Sequence, residues 1–249
     1  MKYRFQPKQL KRLMFMDELM KSIVFDAGPI ISLTTNNLLW VLRELEGRYK
    51  GKFYIAEAVK NELVDKPLTI KRFKFEALQV SRYIKEDVIR VIGKKQLKQK
   101  TLELLTLANT CFKARNNFVR IVHYGEMAGL AACLNLNSDA FSVDERTTRL
   151  LIENPKRLAQ ILGHKLHTRI EVDGENLKKL GKLIGGIKVI RSVELVTIAY
   201  EKGLLDNYLA DVKEPRKTLL DSILWGVKLN GCSVSKREIE QIIRLEGRK

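Results

Sequence analysis

The sequence is poor in the residues from which many chemistries are assembled, with three cysteines and three histidines in 249 residues. Cys111, Cys133 and Cys232 stand apart without any CxxC pair, which excludes a disulfide framework and a structural zinc site. They read as small buried apolar residues of a chain kept in a reducing, cytoplasmic compartment. His123, His164 and His167 are equally scattered, and the last two have no further ligands near them in sequence. No GxxxxGK[ST] loop is present and no GxGxxG follows a strand, so triphosphate and dinucleotide chemistry are set aside. Serine, histidine and acid do not fall into a hydrolase pattern. The longest apolar stretch, Ile23 to Leu42, is interrupted by Asp26, Pro29, Asn36 and Asn37, which a bilayer would not tolerate. Asp17, Glu18 and Lys21 likewise interrupt the basic and apolar start, so a secretion signal is not expected. No repeat of about 20 to 50 residues recurs, which argues against a solenoid.

What the chain does have is positive charge. Lys and Arg number 46 against 29 Asp and Glu, a formal net charge of +17. Such a surplus raises encounter rates with polyanions and neutralises phosphates with release of counterions. Nucleic acid is the expected partner, RNA first and DNA as the other polymer, with a protein partner or a second copy of the chain left open. At 45% apolar residues the chain can bury one substantial core over 1–249.

Apolar periodicity predicts an amphipathic helix from Pro7 to Lys21, then a buried strand at Ser22 to Asp26 stopped by Ala-Gly-Pro. A helix is expected from about Asn36 to Leu45, a strand at Phe53 to Ile55, and a short helix at Glu57 to Val64 carrying Glu62. From about 67 to 120 the pattern is basic and largely helical, broken by a strand at Val88 to Ile92, and reads as an insertion on a smaller core. Tyr124 to Leu134 is a helix rich in small residues, followed by a strand from Ala140 to Asp144. Glu145 to Leu162 is helical with a restart at Pro155. Lys165 to Val172 is expected to be extended, and a lysine-rich helix from Glu175 to Lys182 ends at Gly185-Gly186 before a strand at Ile187 to Ile190. Three helices close the chain, at Val193 to Lys202, Pro215 to Leu229 and Ser235 to Leu245, the last opened by the capping pattern Ser235-Lys-Arg-Glu238.

Strands alternating with helices imply a parallel sheet, whose functional groups gather at the carboxyl ends of the strands. Two strands here end in Asp26 and Asp144, and the first turns of helices carry Glu62 and Glu126. Taken singly, an Asp after a strand is a turn former and a Glu is a solvated face. Taken together, crowded carboxylates repel one another unless a divalent cation compensates, and oxygen-only ligands favour Mg²⁺ or Mn²⁺.

At these residues the sequence resembles a known family. Ile23-Val-Phe-Asp26-Ala-Gly-Pro-Ile-Ile-Ser-Leu33 is similar to the opening strand motif of PIN domains, and Ala58-Val-Lys-Asn-Glu62-Leu63 to their second acidic motif. Gly125-Glu126 with Ala128, Ala131 and Ala132 resembles the third, and Ser142-Val-Asp144-Glu-Arg-Thr-Thr-Arg149 the fourth. The segments from Ser192 to Leu204 and from Leu229 to Ser235 resemble the closing helices of prokaryotic members. The resemblance implies an α/β three-layer sandwich around a central parallel sheet with an extra helical insertion. It further implies a metal-dependent endoribonuclease in which Asp26, Glu62, Glu126 and Asp144 hold one or two Mg²⁺ or Mn²⁺ ions. The Ser142 hydroxyl would then support Asp144 or a water on the metal. The chain departs from the compact family pattern at 67–120 and at about 154–188, a second insertion. Lys71, Arg72, Lys74, Lys94 and Lys95, with Arg146 and Arg149, are the candidates for phosphate contact. The alternative from another class is a PIN-like scaffold that binds RNA in RNA or ribosome maturation without cutting it; a DNA nuclease is the third reading.

Overall fold

The computed structural model describes residues 22–246. The helix expected over Pro7 to Lys21 lies outside them.

The first strand, β1 (Ser22–Phe25), is buried along its whole length, as an apolar run covered on both faces must be. Helix α1 (Ala27–Thr35) begins at once, earlier than expected. Pro29 falls in its first turn, where a missing N–H costs nothing, and Ile30 and Leu33 bury its inner face. The pair Asn36-Asn37 ends this helix instead of opening the next, with Asn37 at φ +56°, and α2 (Val41–Tyr49) starts afresh. Strand β2 (Lys52–Ala56) leads into α3 (Glu57–Lys60), a π-helical turn at Asn61–Asp65 and the short α4 (Lys66–Leu68). Helix α5 (Lys74–Lys85), strand β3 (Ile89–Ile92) and helix α6 (Lys94–Asn109) follow, then a hairpin of β4 (Phe112–Ala114) and β5 (Asn117–Phe118). Helix α7 (Tyr124–Leu136), strand β6 (Ala140–Ser142), helices α8 (Arg146–Glu153) and α9 (Pro155–Leu166), strand β7 (Ile170–Val172), helix α10 (Gly174–Ile184) and strand β8 (Lys188–Ile190) come next. Helix α11 (Ser192–Glu201), a 3₁₀ turn at Asp206–Tyr208, α12 (Pro215–Leu229) and α13 (Lys236–Glu246) complete the described chain.

The central sheet is parallel throughout, in the order β3-β2-β1-β6-β8. Right-handed crossovers place the helices between β1, β2 and β3 on one face and those between β3, β6 and β8 on the other, which gives three layers. Contacts of α1 with α5 and α11, and of α6 with α7 and α10, follow that division. The direction of winding reverses between β1 and β6. Such a reversal opens a crevice at the carboxyl ends of the two strands, and Asp26 and Asp144 lie just past those ends. Helix α7 packs close to the sheet because its residues are small: a Cβ at Gly129 would meet the Phe141 ring at 2.8 Å.

The basic stretch 67–120 is built into this architecture. Its strand β3 is the edge of the central sheet, in register with β2 through Phe53 and Ile89, and its α6 packs along α7. The two departures from the compact pattern also meet, since β4 pairs antiparallel with β7, Lys113 opposite Glu171. The extended segment expected from Lys165 is shorter than predicted, because α9 runs to Leu166 and only Ile170–Val172 is strand. All three cysteines are buried and unpaired. Among the described residues no helix is long and apolar enough to cross a membrane.

Candidate active site

Asp26 stands at the junction of β1 and α1, 7% exposed, and its backbone N–H donates to the Ser142 carbonyl at 2.9 Å, which binds the ends of β1 and β6 together. Gly28 permits this approach, since a Cβ there would stand 3.2 Å from the Asp144 Cβ. Burial, then the nearby charge of Glu126, push the Asp26 carboxyl up to about 7; Glu62 adds to this, against the backbone N–H groups of Ala27 and Gly28.

Glu62 lies in the π-helical turn, an irregularity that re-aims side chains and is common at functional sites. Its carboxylate rests against Gly125, where any Cβ would collide with Oε1. Burial raises its pKa, with Lys66 and His123 opposing. Glu126 sits in the first turn of α7, and its Oε2 accepts the His123 N–H at 2.6 Å, which caps the helix and fixes the carboxylate. Its pKa is raised by burial, partly offset by that N–H and reinforced by Glu145.

Asp144 lies beside Asp26, since a Cβ at Gly28 would stand 3.2 Å from the Asp144 Cβ and 3.8 Å from the Asp26 Oδ2. It is 2% exposed, and its carboxylate is engaged by the protein: Ser32 Oγ and Ser192 Oγ donate to Oδ2 at 2.7 Å each, and the Ser192 N–H donates to Oδ1 at 2.8 Å. Its carbonyl accepts the Ser233 N–H at 3.0 Å. The charges of Glu62 and Glu126 act on Asp26, while the hydrogen bonds of Asp144 join α1, α11 and the approach to α13. Glu145, which the sequence reading passed over, adds its charge beside Glu126 while capping α8 through the Thr148 N–H at 2.7 Å.

The supporting role expected of Ser142 toward Asp144 is corrected by this geometry. The Ser142 hydroxyl is buried without a hydrogen-bond partner, and the hydroxyls that hold Asp144 belong to Ser32 and Ser192. Behind Ser192, Arg191 is 5% exposed and pairs with Glu194 at 2.6 Å and Glu238 at 3.1 Å, while donating to the Ser233 carbonyl at 2.9 Å. The predicted capping box of α13 is formed, Ser235 N–H to Glu238 at 2.9 Å and Glu238 N–H to Ser235 Oγ at 3.2 Å. Arg191 carried no motif that marked it; Ser32 lies within the opening strand motif and Ser192 starts the segment similar to the closing helices, but neither motif assigned them a part in holding Asp144.

Among the described residues, no three His, Cys, Asp or Glu side chains stand at direct metal-ligand spacing. A cation that keeps several of its waters needs only one or two direct carboxylates, and the donor set suits that mode. Glu126 and Glu62 both raise the pKa of Asp26, and the buried Ser142 hydroxyl close by in the chain lacks a partner.

In a parallel sheet the crossover helices start at the carboxyl edge, so the candidate basic residues lie toward that edge. Lys71, Arg72 and Lys74 are exposed at the start of α5, Lys94 and Lys95 at the start of α6, and Arg146 at the start of α8, with Arg149 half-buried one turn on. The Lys94 N–H is itself taken by Glu57 Oε2 at 2.6 Å.

A family model described as a PIN domain matches residues 22–156, just over half of the chain and all four acidic motifs. No curated protein and no solved structure matches it.

Proposed function

The chain belongs to the PIN-domain family, a family of nucleases, and from that premise we propose that it is a metal-dependent endoribonuclease acting through Asp26, Glu62 and Glu126. The observation that carries this reading is the crowding of three carboxylates at the point where the winding of the sheet reverses, with Asp26 pushed up to about 7 by burial and by its acidic neighbours. A bound Mg²⁺ or Mn²⁺ supplies charge neutralisation and an activated water for in-line attack on phosphorus.

Asp26 and Glu126 would hold the cation, since both carboxylates are raised by burial and Glu126 acts on Asp26. Glu62, on the exposed side, orients the attacking water and accepts its proton. Asp144 acts as a positioning residue: through Ser32, Ser192 and the Ser233 backbone it fixes the helix starts around Asp26. Positive side chains at the starts of α5, α6 and α8 bring the phosphate backbone to that edge without reading its sequence. The chemistry is the addition of water across a P–O bond, one product taking the phosphate and the other the leaving hydroxyl.

One observation favours the non-catalytic reading, namely that the Asp144 carboxylate already accepts three hydrogen bonds from the protein. Incubation of labelled RNAs and their DNA counterparts with Mn²⁺ or Mg²⁺ separates the two. Cleavage of RNA that is lost with EDTA and in Asp26→Asn supports the endoribonuclease. Binding without cleavage under every condition supports the scaffold, and preferential cutting of DNA changes the polymer but not the site.

A further inference from the structure

Four large apolar side chains are exposed within nine residues: Ile70 at 46%, Phe73 at 41%, Phe75 at 70% and Leu78 at 54%. Phe25, Phe53, Phe112 and Phe141 are fully buried, and Phe118, at 51%, is the other exposed phenylalanine among the described residues. The exposed rings alternate with cations in Lys71-Arg72-Phe73-Lys74-Phe75, and the Arg72 guanidinium lies 4.5 Å from the centre of the Phe73 ring. Phe73 also has φ +61°, a left-handed conformation that a bulky side chain adopts only when its surroundings demand it. The position is informative as well. Phe73 lines the same cleft as Glu62, together with Ile31, Thr35 and Pro67.

We propose that Phe73 and Phe75, interleaved with Lys71, Arg72 and Lys74, form a stacking platform that receives unpaired RNA bases at the mouth of the acidic cleft. The inference rests on the ribonuclease reading and adds to it a base-binding site on the segment that opens α5. Aromatic rings and guanidinium planes stack on any base, while the cations between them follow the phosphates. A duplex keeps its bases stacked inside and offers only its backbone to such a surface. A protein partner would also cover apolar side chains, but a face in which every ring is flanked by a cation matches a polyanion with planar groups.

The test is fluorescence anisotropy in EDTA, with a short unstructured RNA and the same sequence in a duplex, so that binding is read independently of cutting. Phe75→Ala and the double variant Phe73→Ala/Phe75→Ala are expected to weaken binding of the unpaired RNA by roughly ten- to a hundred-fold per ring, with no change for the duplex and no change in salt dependence. Phe75→Tyr restores binding, because tyrosine also stacks. Replacing Lys71, Arg72 and Lys74 by Gln lowers the salt slope for both RNAs. Phe75 is largely exposed, so its variant keeps the fold, which circular dichroism verifies. Folded alanine variants that bind unpaired RNA like the wild type, or that lose both RNAs equally, overturn the platform and leave the face to a protein partner. A wild-type protein that binds neither RNA contradicts the ribonuclease reading and the platform together.

Discussion

Ser192 holds Asp144 with two donors at once, its N–H on Oδ1 at 2.8 Å and its hydroxyl on Oδ2 at 2.7 Å. The first turn of α11 is thereby tied to the residue that follows β6, and a buried carboxylate is matched by neutral donors instead of by a cation. Two layers of the fold meet at this contact, next to Asp26.

Ser192→Ala removes one hydrogen bond to a buried charge and leaves the backbone donor in place. Hydrogen bonds to charged groups contribute about 1.5–3 kcal/mol, so the unfolding free energy should fall by that amount in a urea titration. Ser32→Ala should act similarly, and the double variant should be non-additive because both hydroxyls share Oδ2. Additive losses would show that the two serines do not act on one carboxylate.

Asp26 makes the metal-free protein less stable in base. Its folded pKa, about 7, lies above the unfolded value of 3.8, so the folded state binds the proton more tightly. The resulting stability is fully present below the unfolded value, declines as pH rises, and is gone above about 7; a shift of this size corresponds to on the order of 4 kcal/mol. Glu62 and Glu126, also raised, act in the same direction, whereas Glu238, lowered mainly by Arg191 against its own burial, acts in the opposite one. Asp26→Asn should therefore melt higher than wild type at pH 8 in EDTA, with the difference vanishing near pH 4. Equal melting temperatures at both pH values would contradict the buried, repelled carboxylate.

Gly125→Ala separates stability from function. Alanine is favoured over glycine in a helix by up to about 1 kcal/mol, so the fold should be kept or slightly strengthened. The added Cβ displaces the Glu62 carboxylate, whose flexible end can move away. Metal-dependent cleavage should fall at least roughly ten-fold, the scale of a misplaced catalytic group. Full activity would remove Glu62 from the site.

Arg191→Met leaves the carboxylates of Glu194 and Glu238 in a largely buried setting without their partner. Breaking a buried pair from one side costs about 3–5 kcal/mol, measurable by chemical denaturation. Neutralising both acids in the same chain, with Glu194→Gln and Glu238→Gln, should recover much of that loss; no recovery would mean that Arg191 acts through packing alone.

Much of the architecture was legible because it rests on local pattern. Buried parallel strands are continuous apolar runs, and β1 and β6 announce themselves by ending at an acid. The capping box at Ser235 and the helix restart at Pro155 are likewise local. What was not legible depends on partners distant in sequence or on small departures from regular geometry. Ala27-Gly28-Pro29 reads as a terminator, yet Pro29 suits a first helical turn, so α1 was missed. The π-helical turn that aims Glu62 differs from an α-helix by one residue per turn, below what apolar spacing reveals. The strands β4, β5 and β7 are two or three residues long and too short to show alternation. The orientation of Asp144 is set by hydroxyls 112 and 48 residues away, and a carboxylate past a strand end does not disclose which way it points.

The most direct test of the three-acid site is calorimetric titration of Mn²⁺ into the metal-free protein near pH 8, alongside Asp26→Asn, Glu126→Gln and Asp144→Asn. Wild type should bind, with little proton release at this pH because Asp26 is already mostly ionised. Asp26→Asn and Glu126→Gln should lose measurable affinity, while Asp144→Asn, if folded, should bind within a few-fold of wild type. Tight binding retained in Asp26→Asn and lost only in Asp144→Asn would contradict the site as drawn and return Asp144 to the metal.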